Sequence, residues 1–251
     1  MSLNLKNGKM IALLHDKKDK ILFIDNNLQN GYKKISLDGR ATLEPLLDDT
    51  GRSITYICGA SGSGKSTMTR NLVINFNLMF PESQIYLFSK VDKDPAFDDL
   101  EKKKIIIRIP INNELITDPI DVLNDIEEWS LVIFDDIDTI LDKNLLKTVN
   151  NIKMQILETG RHRNIYCIVT SHLINTSDRN GTRTMMNEMH NLVIFPKGGG
   201  SVYQQKYCLK NYLGFNNKQV DEILNTNDSR WVWISKNYPQ YVLTQKKCKI
   251  I

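Results

Sequence analysis

Three features of the 251-residue chain predict an α/β fold in which a mostly parallel central sheet is flanked by helices. Short, β-branched-rich apolar runs alternate with longer segments of helical period from Ser53 onward. One junction between such a run and a helical segment is dense in glycine. A later apolar run ends in two adjacent carboxylates.

The runs Ile54–Cys58, Gln84–Phe88, Ile105–Ile109, Leu131–Phe134, Ile165–Thr170 and Leu192–Phe195 are nearly continuous in apolar character. That is expected of parallel strands buried on both faces. Helical spacing falls over 65–79, 119–129, 143–158 and 182–189. Residues 1–50 are more polar, with short alternating stretches such as 21–24 between Asn-rich turns, and predict a small N-terminal β element. Beyond the break at Gly198–Gly200 come an apolar-containing segment, Val202–Leu209, a helix near 216–225, and strands at Trp231–Ile234 and Tyr241–Leu243 expected at sheet edges. Trp231 and Trp233, two apart, read as strand packing in the core or at a subunit interface. The expected organisation is an extension over 1–50, a core over 51–200, and edge strands, helix and basic tail over 201–251. Neither an internal repeat nor a low-complexity tract is present.

Apolar residues make up 41% of the chain and charged residues 25%, which fits a soluble globular protein able to bury a core without disulfides. No apolar run reaches the length of a membrane span. Cys58, Cys167, Cys208 and Cys248 are scattered without metal-ligand spacing, which points to a reducing compartment. Residues 1–142 carry 17 Lys and Arg against 23 Asp and Glu, whereas residues 143–251 carry 16 against 6. A basic C-terminal part suits either a phosphate-backbone partner or a solvated lysine-rich surface.

Gly59-Ala60-Ser61-Gly62-Ser63-Gly64-Lys65-Ser66, followed by Thr67, matches G-x-x-x-x-G-K-[ST] in full. Glycines let the backbone curl so that successive N–H groups converge on phosphate oxygens. Lys65 brings a charge to the β- and γ-phosphates, and the Ser66 hydroxyl ligates Mg²⁺. ITYIC before the loop and STMTRNLVINFNLMF after it supply the strand and helix that this chemistry requires. The segment is a nucleotide-binding P-loop, with ATP and Mg²⁺ as expected cofactors, and the fold becomes a P-loop NTPase.

Leu131-Val132-Ile133-Phe134-Asp135-Asp136 delivers two acids at a strand's C-terminal end, where α/β sheets bind ligands. Asp135 is expected to hold Mg²⁺ through its water shell, and Asp136 to orient or deprotonate the attacking water. About 65 residues separate the two motifs, room for Gln84–Phe88 and Ile105–Ile109. An inserted strand of this kind marks hydrolytic motors of the additional-strand type. Ser89-Lys90-Val91-Asp92 resembles a guanine-reading motif but precedes the acidic strand, and it reads as a loop. Gly160-Arg161-His162-Arg163-Asn164 leads into the next strand, which ends at Ser171-His172. The two arginines are either surface cations or a finger reaching a neighbouring subunit's nucleotide, and His172 either a satisfied histidine or a γ-phosphate sensor.

On GASGSGKST, LVIFDD and GRHRNIYCIVTSH the chain resembles the FtsK–HerA superfamily of DNA-pumping ATPases over about residues 53–196. The genome-packaging ATPases of poxviruses, other nucleocytoplasmic large DNA viruses and virophages are the most similar branch. The resemblance implies an ATP-hydrolysing double-stranded DNA translocase that packages a viral genome as a ring homo-oligomer. Arg161 then falls on the finger arginine with Arg163 beside it, and His172 on the sensor that is glutamine in FtsK. Asp136 stands where cellular members carry glutamate. A capsid or inner-membrane vertex protein is the implied partner, and the virion or a viral factory in the host cytoplasm the implied location. Arg179, Arg183, Lys197 and the tail lysines Lys246, Lys247 and Lys249 are the candidate phosphate contacts for sequence-independent DNA binding. The alternatives are a ring helicase or helicase loader, and a nucleotide-gated binding module.

Overall fold

The computed structural model describes residues 1–25, 31–176 and 178–251; the Asn-rich turn expected after residue 24 lies largely outside them. The chain divides into two compact units. One is Arg52–Met189, and the other joins Met1–Gly51 with His190–Ile251. The division differs from three consecutive segments, because both ends of the chain contribute to one unit.

In that unit, β1 (Ser2–Asn4), β2 (Lys9–His15), β3 (Lys20–Asp25) and β5 (Thr42–Pro45) form an antiparallel sheet in the order β1-β3-β2-β5, confirming β structure at the N-terminus. The intervening β4 (Lys34–Ser36) leaves that sheet and pairs with a strand from the far end of the chain.

The unit Arg52–Met189 holds a five-stranded, wholly parallel sheet. Its elements in chain order are β6 (Ile54–Cys58), α1 (Lys65–Met79), β7 (Ile85–Ser89), α2 (Asp98–Lys102), β8 (Ile107–Pro110), α3 (Glu114–Thr117), β9 (Leu131–Asp135), α4 (Lys143–Thr159), β10 (Tyr166–Ser171) and α5 (Arg179–Glu188). Strand order is β6-β10-β9-β7-β8. Strands β6, β7 and β10 are buried along their whole length, as their apolar runs require. Only β8, at the edge, is largely accessible. In space β6 and β9 are separated by β10, which follows the acidic motif; β7 and β8, which lie between the motifs in sequence, sit beyond β9. Phe88 and Phe134 stack across β7 and β9 with ring centroids 4.9 Å apart.

Returning to the first unit, β11 (Asn191–Ile194), α6 (Val202–Asn211), α7 (Asn217–Leu224), β12 (Val232–Ser235), β13 (Tyr241–Leu243) and β14 (Lys247–Ile250) complete the chain. An antiparallel series runs β4-β14-β13-β12-β11. Three expectations are corrected here. The run at 192–195 pairs antiparallel with β12. Strands β12 and β13 are interior to the series, and Trp233 on β12 is fully buried. The basic tail is a strand whose lysines are already engaged: Lys249 pairs with Glu222, Lys247 with Asp228, and Lys246 donates to the carbonyls of Gly39 and Ala41.

The helix expected over 119–129 is absent; the segment is a series of turns. Asp121 captures the Leu123 N–H through its side chain, competing locally with helix. The Arg163 guanidinium takes the carbonyls of Val122 and Leu123, at 2.8 and 2.6 Å, that a helix would have used. Trp129 adopts φ 58° and donates its N–H to the Arg163 carbonyl. Replacing Arg163 with Ala is expected to cost about 1–3 kcal/mol by leaving those carbonyls without a charged donor. Hydrogen exchange should then quicken at 121–129 and remain unchanged in the strands.

Candidate active site

The phosphate loop leaves β6 at Cys58 and enters α1 at Lys65. Gly62 and Gly64 have φ of 75° and 112°. A side chain at Gly62 would find open space but not a comfortable backbone, so the demand for glycine is conformational. The Gly59 N–H donates to the Ser171 carbonyl at 3.0 Å, fastening the loop to the end of β10. Ala60 and Ser66 are half-buried, and Ser61 and Thr67 are exposed. The Ser63 hydroxyl is buried without a hydrogen-bond partner among the described residues.

Lys65, only 6% exposed, folds back across the loop. Its ammonium donates to the Gly59 carbonyl at 3.0 Å and lies 3.4 Å from an Asp136 carboxylate oxygen. The loop cation and the strand-end acid therefore meet, although 71 residues apart. At the end of β9, the Thr170 hydroxyl on neighbouring β10 lies 3.0 Å from carboxylate oxygens of both Asp135 and Asp136 and accepts the Asp136 N–H at 2.8 Å. This holds Asp136 at φ 44°, in the left-handed region. Burial, reinforced by the Asp136 charge, pushes the Asp135 carboxyl up to about 6. A desolvated carboxylate beside a second one is a site that a hard divalent cation relieves, and the oxygen donors of Asp135 and Ser66 fit Mg²⁺.

One member was missed in the sequence. Asp138 follows the acid pair on a 3₁₀ turn, Ile137–Thr139. It accepts from the Ser171 hydroxyl at 3.0 Å and the His172 N–H at 2.9 Å. The His172 ring lies 3.5 Å from Asp138 on one side and 3.5 Å from Asp136 on the other. Asp136, Asp138 and His172 thus form one cluster, with His172 bracketed between two carboxylates. The third acid of Asp-Asp-x-Asp was the only available signal. Its role depends on the pairing of β9 with β10.

Behind Asp138 is a cavity of about 90 Å³ lined in part by Lys153, Thr170, Ser171, Asp178 and Thr182. Lys153 is nearly fully buried, donates to Asn150, and has its ammonium pKa lowered by burial. Asp178 caps α5 by accepting the Gly181 N–H.

The two candidate finger arginines are not equivalent. Both leave the 3₁₀ turn Gly160–Arg163 ahead of β10, at the opposite end of the strand from Ser171. Arg163 is committed to the Val122 and Leu123 carbonyls and to Glu128. Arg161 is exposed, and its only hydrogen bond among the described residues is a long one to the neighbouring His162. Arg179 and Arg183 are exposed one helical turn apart on α5, without an ion-pair partner among the described residues. Lys197 is exposed in a loop and donates to Asn227.

The chain is 43% identical over 200 residues to the uncharacterized protein V3 of Sputnik virophage, covering 80% of this chain and 78% of that protein. No family model matches. The fold is similar to that of the genome-packaging NTPase B204 of Sulfolobus turreted icosahedral virus 2 in complex with ATPγS. The TM-score is 0.53 at 11% identity, covering 80% of this chain and 98% of that one. The pCW3 conjugation coupling protein TcpA gives a TM-score of 0.54 at 10% identity, covering 94% and 77%. The type VII secretion ATPase EccC of Thermomonospora curvata gives 0.52 at 14% identity, covering 85% and 28%.

The raised Asp135 pKa has a sign that can be checked. Its folded-state value exceeds that of a free carboxyl, so the native state binds the extra proton between about pH 4 and 6. Without divalent cations, stability is expected to fall as pH rises through that window, by up to about 3 kcal/mol. Urea unfolding of Asp135→Asn should lack this component, and Mg²⁺ should reduce it in the unsubstituted protein.

Proposed function

The chain belongs to the family of the Sputnik virophage protein V3, and from that premise and the site geometry we propose that it is an ATP-hydrolysing motor that packages double-stranded viral DNA. The observation that carries this reading is the meeting of Lys65 with Asp136, and of both Asp135 and Asp136 with Thr170, at the mouth of the phosphate loop. The packaging and coupling roles of the structural neighbours support the DNA substrate.

In this reading, the loop N–H groups and the unpartnered Ser63 hydroxyl receive the phosphate oxygens. Lys65 exchanges the Gly59 carbonyl and Asp136 for the β- and γ-phosphates. Ser66 and Asp135 would hold Mg²⁺, which would supply the charge neutralisation that phosphoryl transfer needs. Released from Lys65, Asp136 accepts the proton of a water whose oxygen attacks the γ-phosphorus as the bond to the β-phosphate oxygen breaks. Asp138 fixes His172 beside Asp136, where it senses the γ-phosphate. Lys153 and the Asp178 cap lie behind that bracket and pass the change to α5, whose Arg179 and Arg183 face DNA phosphates; Lys197 is a further contact. Arg161, exposed and without an ion-pair partner among the described residues, is the finger supplied to a neighbour in a ring homo-oligomer. Arg163 is the anchor that shapes the loop carrying it. A capsid or inner-membrane vertex protein would seat the ring in the virion or viral factory.

The test is steady-state ATP hydrolysis with and without long double-stranded DNA. DNA is expected to stimulate turnover. Lys65→Ala should abolish it, Arg161→Ala should lower it by about 10³-fold or more, and Arg163→Ala should lower it far less at a temperature where it remains folded. Slow hydrolysis that DNA does not change would favour a nucleotide-gated binding module instead, and strand separation of duplexes would favour a helicase.

A further inference from the structure

Two exposed surfaces of this chain are opposite in charge and alike in carrying unburied apolar side chains. The first is the turn segment before β9. No basic residue occurs between Arg108 and Lys143, and Glu114, Asp118, Asp121, Asp125, Glu127 and Glu128 are all exposed. Among these acids Leu123 is 66% and Trp129 44% exposed. Arg163 pins this segment to the loop of Arg161 through the Val122 and Leu123 carbonyls, and Trp129 donates back to the Arg163 carbonyl. The acidic surface and the loop of Arg161 are therefore parts of one fixed structure.

The second surface is α6. Its sequence, VYQQKYCLKN, contains no acid, and its buried side is Gln205, Cys208 and Leu209. The opposite side presents Tyr203, 77% exposed, and Tyr207, 42% exposed, next to Lys206 and Lys210. The tyrosines are one turn apart, and so are the lysines, a like-charge spacing that weakens an isolated helix. Asp221, 3.8 Å from Lys206, is the one ion-pair partner of these lysines among the described residues.

We propose that α6 docks on the acidic turn segment of a second copy of this chain. Charge complementarity selects the orientation, and the tyrosines cover Leu123 and Trp129. A phosphate backbone would answer the two lysines but offers no apolar surface to the tyrosines, so the observations favour protein over DNA at this face. Contact between unlike patches repeats head to tail, which closes into a ring when the rotation allows. It also sets the Arg161 loop against the neighbour. The docking rests on the proposed function only for the purpose of that arginine, and its test is independent of turnover.

Two double variants make the test, Lys206→Glu with Lys210→Glu, and Asp118→Lys with Glu127→Lys. The substituted acids make no side-chain hydrogen bond among the described residues, so folding is not at stake; circular dichroism confirms it. Sedimentation velocity with an ATP analogue should show the unsubstituted chain self-associating and each variant at least about tenfold weaker. Mixing the two variants should restore association, because each reversed patch then meets its complement. Association of both variants at the unsubstituted level, absence of recovery on mixing, or a chain that stays monomeric would overturn the proposal. So would loss of DNA binding in the lysine variant with association unchanged, which would make α6 a nucleic-acid face. Analogue binding to each variant is the separate readout. Its absence with association intact would sink the ATPase reading and leave the docking standing.

Discussion

Strand β10 is hydrogen-bonded on one side to the strand that launches the phosphate loop and on the other to the strand that ends in two carboxylates. That placement makes three consecutive residues serve both neighbours. Thr170 bonds to Asp135 and Asp136, the Ser171 carbonyl receives the Gly59 N–H, and His172 stands between Asp136 and Asp138. Shifting β10 by one residue would turn Thr170 to the other face of the sheet and leave the two acids without their shared donor. The site is built on the registers of three buried strands, which close packing holds in place.

The electrostatics follow from the same packing. Asp135 is desolvated next to Asp136, and the pair lies close to a nearly buried ammonium. Each of these charges is costly alone and tolerable together. The internal pairing of Lys65 with Gly59 and Asp136 is a ground state that phosphates can displace, since they offer the lysine a stronger acceptor than a carbonyl. Under the proposed function a nucleotide would change the partners of Lys65 and Asp136 in one step, and the bracket of His172 and Asp138 lies next to that pair.

The parts most legible in the sequence were those whose chemistry is local. The phosphate loop needs glycines, a lysine and a hydroxyl in one short span, and the helix over 65–79 and the strands at 54–58 and 131–134 follow from runs that no distant residue overrides. What could not be read depended on partners far away in the chain. Apolar spacing over 119–129 suits a helix until Arg163, about 40 residues later, claims its carbonyls. Arg161 and Arg163 are indistinguishable in sequence and are separated by that same contact. Asp138 gains its meaning only when β9 lies beside β10. The lysines of the tail look like a free basic patch until β14 pairs with β4, some 210 residues away, and acids from elsewhere in that unit neutralise two of them.

The proposed metal–nucleotide site at the phosphate loop depends on Asp135. Calorimetric titration of the chain with ATPγS, in the presence and absence of Mg²⁺, tests it most directly, with Asp135→Asn run in parallel. Mg²⁺ is expected to tighten binding by the unsubstituted chain and to leave the Asn variant almost unaffected. Equal affinity with and without the metal, or an Asn variant that still responds to it fully, would contradict it.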